Sequence, residues 1–293
     1  MSLGLALSGG GSKGAAHIGV LQALEEEGIK FDYISGTSSG SIIAALYACG
    51  YKPKELLNFF NMYCNQIGDY DKTVPFKIMS TAFTGKIGVK GLAKGDKLEY
   101  IIKNFCGKKG ISDISQVKFP LAIPAVDINS GEVVYFSSKS IDNTNNFSRN
   151  LFDDIPTYKY SGNLCSIVRA SSSFPGVFEP KILDGRILVD GGVRVNTPIS
   201  VLRKMGADKV IAVSFDKNKK YTDNSLNIVS VSIKSFDIMS HQVNEAELNS
   251  SDVIIRPEIP GNISLLDCSK SNFLAKAGYL QTKKIINQIK EIM

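Results

Sequence analysis

Histidine is almost missing from this chain: His17 and His241 are the two among 293 residues. Any general base must therefore be one of two imidazoles or a carboxylate. Cysteine is sparse too, and the five present (Cys49, Cys64, Cys106, Cys165, Cys268) are odd in number, scattered and without a Cys-x-x-Cys pair. That pattern argues against both a disulfide framework and a metal site such as zinc, and favours a reducing, cytoplasmic setting. No apolar run has the length of a membrane span, and Met1 to Leu7 runs straight into a strand-like stretch with no basic leader or cleavage site. An unprocessed, soluble protein is expected. No internal repeat is present.

What the chain does contain is apolar residues, 43% of the total, enough to bury a large core in one α/β domain spanning 1–293. Its formal charge of +6 is concentrated in one place. Between Asp71 and Lys109, nine lysines (Lys72, Lys77, Lys86, Lys90, Lys94, Lys97, Lys103, Lys108, Lys109) stand against Asp71, Asp96 and Glu99, and the remainder of the chain is neutral. A solvated face explains such an excess. Phe59, Phe60, Met62, Tyr63, Phe76, Ile78, Met79 and Phe83 lie just before or within it, a mixture that suits an anionic membrane surface at the inner leaflet better than a nucleic acid.

The periodicity alternates between strand and helix. Strands are predicted at Leu3 to Ser8, Phe31 to Ser35, Phe119 to Val126, Glu132 to Phe136, Lys209 to Ser214 and Val253 to Arg256, with a short hairpin from Lys181 to Val189. Helices are predicted near Ser12 to Glu27, Ser41 to Cys49, Lys54 to Gln66, Asp96 to Phe105, Leu164 to Ser172, Pro198 to Gly206, Asn227 to Ser250 and Phe273 to Ile292. Gly68 to Gly95 loses its period, so an irregular cap-like insertion is expected around 68–110. Ser137 to Asn150 is polar and reads as a loop. This alternation predicts a layered α/β fold with a mainly parallel sheet.

Three short motifs carry chemistry. Gly36-Thr37-Ser38-Ser39-Gly40 sits at a strand-to-helix junction, where Gly-x-Ser-x-Gly spacing permits the sharp turn of a nucleophile elbow; a plain Gly/Ser turn is the alternative. Gly9-Gly10-Gly11-Ser12-Lys13-Gly14 follows the first strand. It fits Gly-x-Gly-x-x-Gly, yet Asp32 opens the next strand instead of closing it, and Ala15 stands where a Walker loop needs lysine, so no nucleotide cofactor is expected. The surviving reading is an oxyanion hole at Gly9, Gly10 and Gly11, whose donors are each worth about 3 to 4 kcal/mol to a tetrahedral oxyanion. Lys13 either is solvated or lends positive potential to that loop.

The third motif is Asp190-Gly191-Gly192, which ends a short apolar strand and could aim a carboxylate at the serine. Aspartate is a weaker base than histidine by about 3.5 kcal/mol in proton affinity, and burial recovers part of that deficit. His17, one turn past the glycines, reads as a packing or capping residue; His241 follows the serine, as the triad order of an α/β hydrolase demands, but sits mid-helix, and a histidine-based esterase using it is the alternative mechanism. Asp127 and Asp184 sit in turns that aspartate commonly caps with its own side chain.

Together, the glycine loop, Gly-x-Ser-x-Gly and the distant Asp-Gly-Gly resemble the patatin-like phospholipase family. So do Ala16-His17-Ile18-Gly19-Val20-Leu21, the hairpin from Asp127 to Tyr135, the run Arg169 to Phe178, and Asn196-Thr197-Pro198. The resemblance covers Leu3 to Ser214 and implies a three-layer α/β/α fold with metal-independent hydrolysis of lipid acyl esters. It maps a Ser-Asp dyad onto Ser38 and Asp190, with Gly14, Gly36, Gly40, Gly191 and Gly192 as supporting residues. Lys13 departs from the arginine frequent in the family motif, which keeps the charge and loses the planar fork. The substrate implied is a lipid or other acyl ester. A general carboxylesterase or thioesterase, and a noncatalytic lipid-binding protein of the same fold, are the alternatives.

Overall fold

The computed structural model describes residues 1–66, 91, 93–141, 156–215, 228–260, 263 and 268–293. In chain order its strands are β1 (Leu3–Leu7), β2 (Tyr33–Gly36), β3 (Leu121–Asp127), β4 (Val133–Ser137), β5 (Thr157–Lys159), β6 (Lys181–Leu183), β7 (Arg186–Asp190), β8 (Lys209–Val213) and β9 (Val253–Ile255). Its helices begin with α1 (Ala15–Glu26), α2 (Ser39–Ala48), α3 (Pro53–Gln66) and α4 (Asp96–Lys108). They continue with α5 (Leu164–Ser171), α6 (Ser200–Met205), α7 (Ile228–Leu248), α8 (Ser271–Lys284) and α9 (Ile286–Glu291). Most of the lysine-rich insertion, 67–90 and 92, and the polar stretch from 142 lie outside the described residues.

Both β1 and β3 are buried along their whole length and, but for Asp127 at the end of β3, apolar, as strands covered on two faces must be. The described strands run in the order β5-β4-β3-β2-β1-β8-β9, with β7 joining β3 to β6. Pairings β1·β2, β2·β3, β1·β8, β8·β9 and β4·β5 are parallel, and those of β3 with β4 and β7, and of β6 with β7, are antiparallel. Alternate residues then sort into layers. Leu3, Leu5 and Leu7 of β1, with Ile211 and Val213 of β8, join the large cluster filled by α1, α2, α3 and α8. Ala6, Val210 and Ala212 join a thinner one closed by Leu202 of α6 and Leu248 of α7. The fold is thus mixed α/β with a mostly parallel central sheet between helical layers. On the thicker side α8 lies against α1 so closely that a Cβ on Gly19 would run into the Ala275 carbonyl, and one on Gly278 into that of Ala16.

One edge of β3 positions the site. Its first half pairs with β2 at Ile34↔Leu121 and Ser35↔Ala122, and its second half with β7 from Ala125↔Asp190 onward. Pro124 occupies the gap, with its carbonyl turned toward Gly191, 2.6 Å from where a Cβ would sit there. A proline is tolerated inside this strand because the N–H it lacks would face the place where no partner strand is available. At this handover the ends of β2 and β7 come together.

The structure departs from the sequence expectations in detail. The first predicted helix starts as a 3-10 turn over Gly11–Gly14 before α1. The predicted C-terminal helix is two, split at Ile285 (φ −109°, ψ 16°), a break that no glycine or proline announces. Strand β5, three residues long, carries too little pattern to read. Cys49 and Cys106, remote in sequence, meet as free buried thiols with 3.9 Å between sulfurs. No helix among the described residues is long and apolar enough to cross a membrane.

Candidate active site

Ser38 stands between β2 and α2 with φ 53° and ψ −123°, a backbone conformation that side-chain-bearing residues rarely adopt. The turn is held by Gly40 N–H donating to Thr37 O at 2.8 Å and by Ser41, whose N–H (2.9 Å) and hydroxyl (2.6 Å) both donate to Ser38 O. It also requires both glycines: a Cβ on Gly36 would meet the Gly40 carbonyl, and one on Gly40 the Leu7 carbonyl. Ser38 is therefore carried at the positive end of α2, half-buried, with small residues on either side.

Asp190 ends β7 almost fully buried. Its Oδ1 accepts the Gly192 N–H at 2.8 Å. Its Oδ2 is enclosed with no hydrogen bond of good geometry, while the Ser38 hydroxyl is close enough to favour the charged form. Contacts of this kind commonly tighten when substrate binds. Burial nevertheless dominates and pushes the carboxyl up to about 7.

The segment after Asp190 fastens the three motifs to one another. Thr37 Oγ1 donates to Val195 O at 2.8 Å, Ser35 Oγ to Pro198 O at 2.6 Å, and Gly9 N–H to Asn196 O at 3.1 Å. The last of these narrows the oxyanion-hole reading. Gly9 has already committed its N–H, so Gly10 and Gly11 are the loop positions left to offer donors. The Asn196 side chain fills the space between Gly9 and Gly192, 2.6 Å and 3.2 Å from where Cβ atoms would lie. Gly14 meets Ser39, and Gly191 meets Pro124, which explains the absence of side chains at both. Lys13 is buried, not solvated.

Neither histidine partners Ser38 in the described contacts. His17 is fully buried, with Nε2 2.8 Å from Ser8 O and its ring 4.7 Å from that of Phe215. Burial holds its pKa down to about 4, so it is neutral and donates to the strand end from which the glycine loop springs. His241 lies on α7 beside Glu245 at 3.8 Å. The face of α7 that meets the site carries Phe236, edge-on to Phe174 at 4.8 Å, and Ser240, whose hydroxyl donates to Gly192 O at 3.3 Å. The two rival aspartates are engaged elsewhere: Asp127 accepts from Asn129 N–H at 3.1 Å and pairs with Arg186 at 3.3 Å, and Asp184 pairs with Lys159 at 2.8 Å.

Sequence reasoning missed Ser171, whose Oγ accepts the Ser38 N–H at 3.2 Å. It also gave no role to Pro124, although a proline inside an apolar strand is a readable sign of interrupted pairing.

The chain spans about half the length, or less, of the curated relatives that it matches. An uncharacterised NTE family protein of Mycobacterium tuberculosis is 27% identical over 212 residues, which is 72% of this chain and 48% of the relative. A second NTE family protein of that organism is 25% identical over 96% of this chain and 46% of its own length. Lysophospholipase NTE1 of Debaryomyces hansenii is 28% identical over 72% of this chain and 12% of that protein. Among solved structures, VipD from Legionella pneumophila aligns with a TM-score of 0.51 at 16% identity, covering 98% of this chain and 67% of VipD, a likeness of fold. The profile of the patatin-like phospholipase family matches residues 5–203, a span that runs from β1 through the elbow and Asp190 into α6, and the chain belongs to that family.

Proposed function

We propose that this chain is a serine acyl hydrolase acting on fatty-acyl esters of lipids, with Ser38 as nucleophile and Asp190 as its base. The observation that carries the reading is the pairing of a strained elbow serine with a buried carboxyl whose pKa is raised to about 7. A carboxylate of that basicity takes a hydroxyl proton far more readily than an ordinary aspartate. As Asp190 takes that proton, Ser38 Oγ attacks the ester carbonyl carbon. The oxyanion is received by the N–H groups of Gly10 and Gly11 at the start of the 3-10 turn, and buried Lys13 adds positive potential. Collapse expels the alcohol, which takes the proton from Asp190, and leaves an acyl-serine. Water then gives a proton to Asp190 and attacks the acyl carbon, releasing the fatty acid and returning the proton to Ser38.

Membership of the patatin-like phospholipase family and the lysophospholipase name of one relative support a lipid substrate. The test is hydrolysis of a short p-nitrophenyl ester and of mixed phospholipid vesicles by wild type, Ser38→Ala, Asp190→Asn and His241→Ala. Loss in the first two variants with retention in the third is expected. Activity surviving in Asp190→Asn would sink the dyad, and a preference for the short ester over vesicles would turn the reading toward a general esterase.

A further inference from the structure

The conformation of Ser38 creates a demand for an acceptor. At φ 53° and ψ −123° its N–H lies outside the hydrogen-bond ladder of α2, at a half-buried position. The acceptor is the hydroxyl of Ser171, 133 residues further along, at 3.2 Å. Ser171 is fully buried as the last residue of α5. Two residues on, Ser173 O accepts the N–H of Asp190 at 3.0 Å. One short tail of α5 therefore touches the backbone of both candidate dyad residues.

That tail is itself anchored. Arg169, almost completely buried, donates to Ser173 Oγ at 2.6 Å, to Glu179 O at 2.8 Å and to the Lys94 carbonyl, and Ser173 Oγ donates back to Arg169 O at 2.9 Å. A buried guanidinium with its donors committed holds the tail in one arrangement. The separation between elbow and carboxylate is then set by α5 as well as by the β3 edge.

We infer that Ser171 is a positioning residue for the Ser38–Asp190 pair: by accepting the elbow N–H it stabilises the strained backbone that aims Ser38 Oγ at Asp190. Without that hydroxyl the N–H must seek another acceptor by rotating the elbow, which moves Oγ away from the carboxylate. A misplacement of about 1 Å in such an arrangement costs about a hundredfold in rate. The inference rests on the acyl-hydrolase reading.

The experiment is steady-state hydrolysis of p-nitrophenyl butyrate, with the rate of covalent inactivation by a p-nitrophenyl alkylphosphonate, for wild type, Ser38→Ala, Ser171→Ala and Ser171→Thr. Turnover by wild type and its loss in Ser38→Ala test the underlying reading on their own. Given both, Ser171→Ala is expected to lower kcat and slow phosphonylation about ten- to a hundredfold, with KM within about twofold of wild type. Ser171→Thr keeps the hydroxyl and is expected to restore most of both rates. A Ser171→Ala protein that melts like wild type and keeps kcat within about threefold overturns the inference, as does a loss confined to KM. If Ser171→Ala does not fold, Ser171→Cys replaces it, because sulfur is a weak acceptor of similar size, and the same kcat loss is expected.

Discussion

Two carboxylates with raised pKa, Asp190 almost fully buried and Glu247 half-buried, have opposite surroundings. Glu247 of α7 reaches the start of α6, where its oxygens accept the N–H groups of Ile199 (2.9 Å) and Ser200 (2.8 Å) and the Ser200 hydroxyl (2.7 Å). It supplies the acceptor of the Ser200 N–H and shares the Ile199 N–H with Thr197 O (2.9 Å), so its work is structural. Asp190 has one committed backbone donor and one oxygen left open toward Ser38. Burial raises the pKa of both. What separates a cap from the proposed base is therefore the number of lone pairs already spoken for.

The sharpest way to break this contrast is by activity. Asp190→Asn is expected to lower kcat/KM on an acyl ester by at least about 10³-fold, while Glu247→Ala stays within about threefold. Comparable losses in the two variants would mean that enclosure alone, and not the open oxygen, marks the functional carboxylate. The pH profile of wild type comes next. As the proposed base, Asp190 would act only when ionised, so kcat/KM should rise about tenfold per pH unit below about 7 and level off above it. A profile flat from pH 5 to 8 would exclude Asp190 as the base.

Stability should move in opposite directions at the two sites. Glu247→Ala strands the Ser200 N–H, while the Ile199 N–H keeps Thr197 O at 2.9 Å, and is expected to cost about 1 to 3 kcal/mol, read as a lower melting temperature and urea midpoint. Asp190→Asn should do the reverse at pH 8. Its folded pKa of about 7 exceeds the unfolded value, so the folded state binds the extra proton, and the carboxyl weakens the fold progressively as pH rises from about 4 to about 7. Replacing it with a neutral amide should then raise stability by about 2 to 4 kcal/mol at pH 8 and by much less at pH 5. The smallest effect belongs to His241→Ala, for which kcat/KM within about twofold of wild type is expected, since His241 sits about a third exposed beside Glu245.

The chemistry-bearing turns were legible because each is local. A Cβ on Gly36 or Gly40 would collide with backbone of the same βα unit or its neighbour, a requirement that the Gly-x-Ser-x-Gly spacing states. The buried strands β1 and β3 announce themselves by unbroken apolar runs. The fates of particular hydrogen bonds were not legible. In sequence Gly9 is equivalent to Gly10 and Gly11, and Ser171 is one of three successive serines; only the fold places the Gly9 N–H on Asn196 O and the Ser171 hydroxyl on the elbow.

The sequence by itself determined the alternation of strand and helix, the elbow at Ser38, the glycine loop and the small set of groups able to serve as a base, because each follows from neighbours a few residues apart. The tertiary structure alone decided how they converge. It let β3 pass one edge from β2 to β7 across Pro124, tied Thr37 to Val195 over 158 residues and Ser38 to Ser171 over 133, and left Asp190 with one open oxygen. Those outcomes depend on which distant groups share a buried space, and burial fixes both the pairing of polar atoms and the pKa of the carboxyl that results.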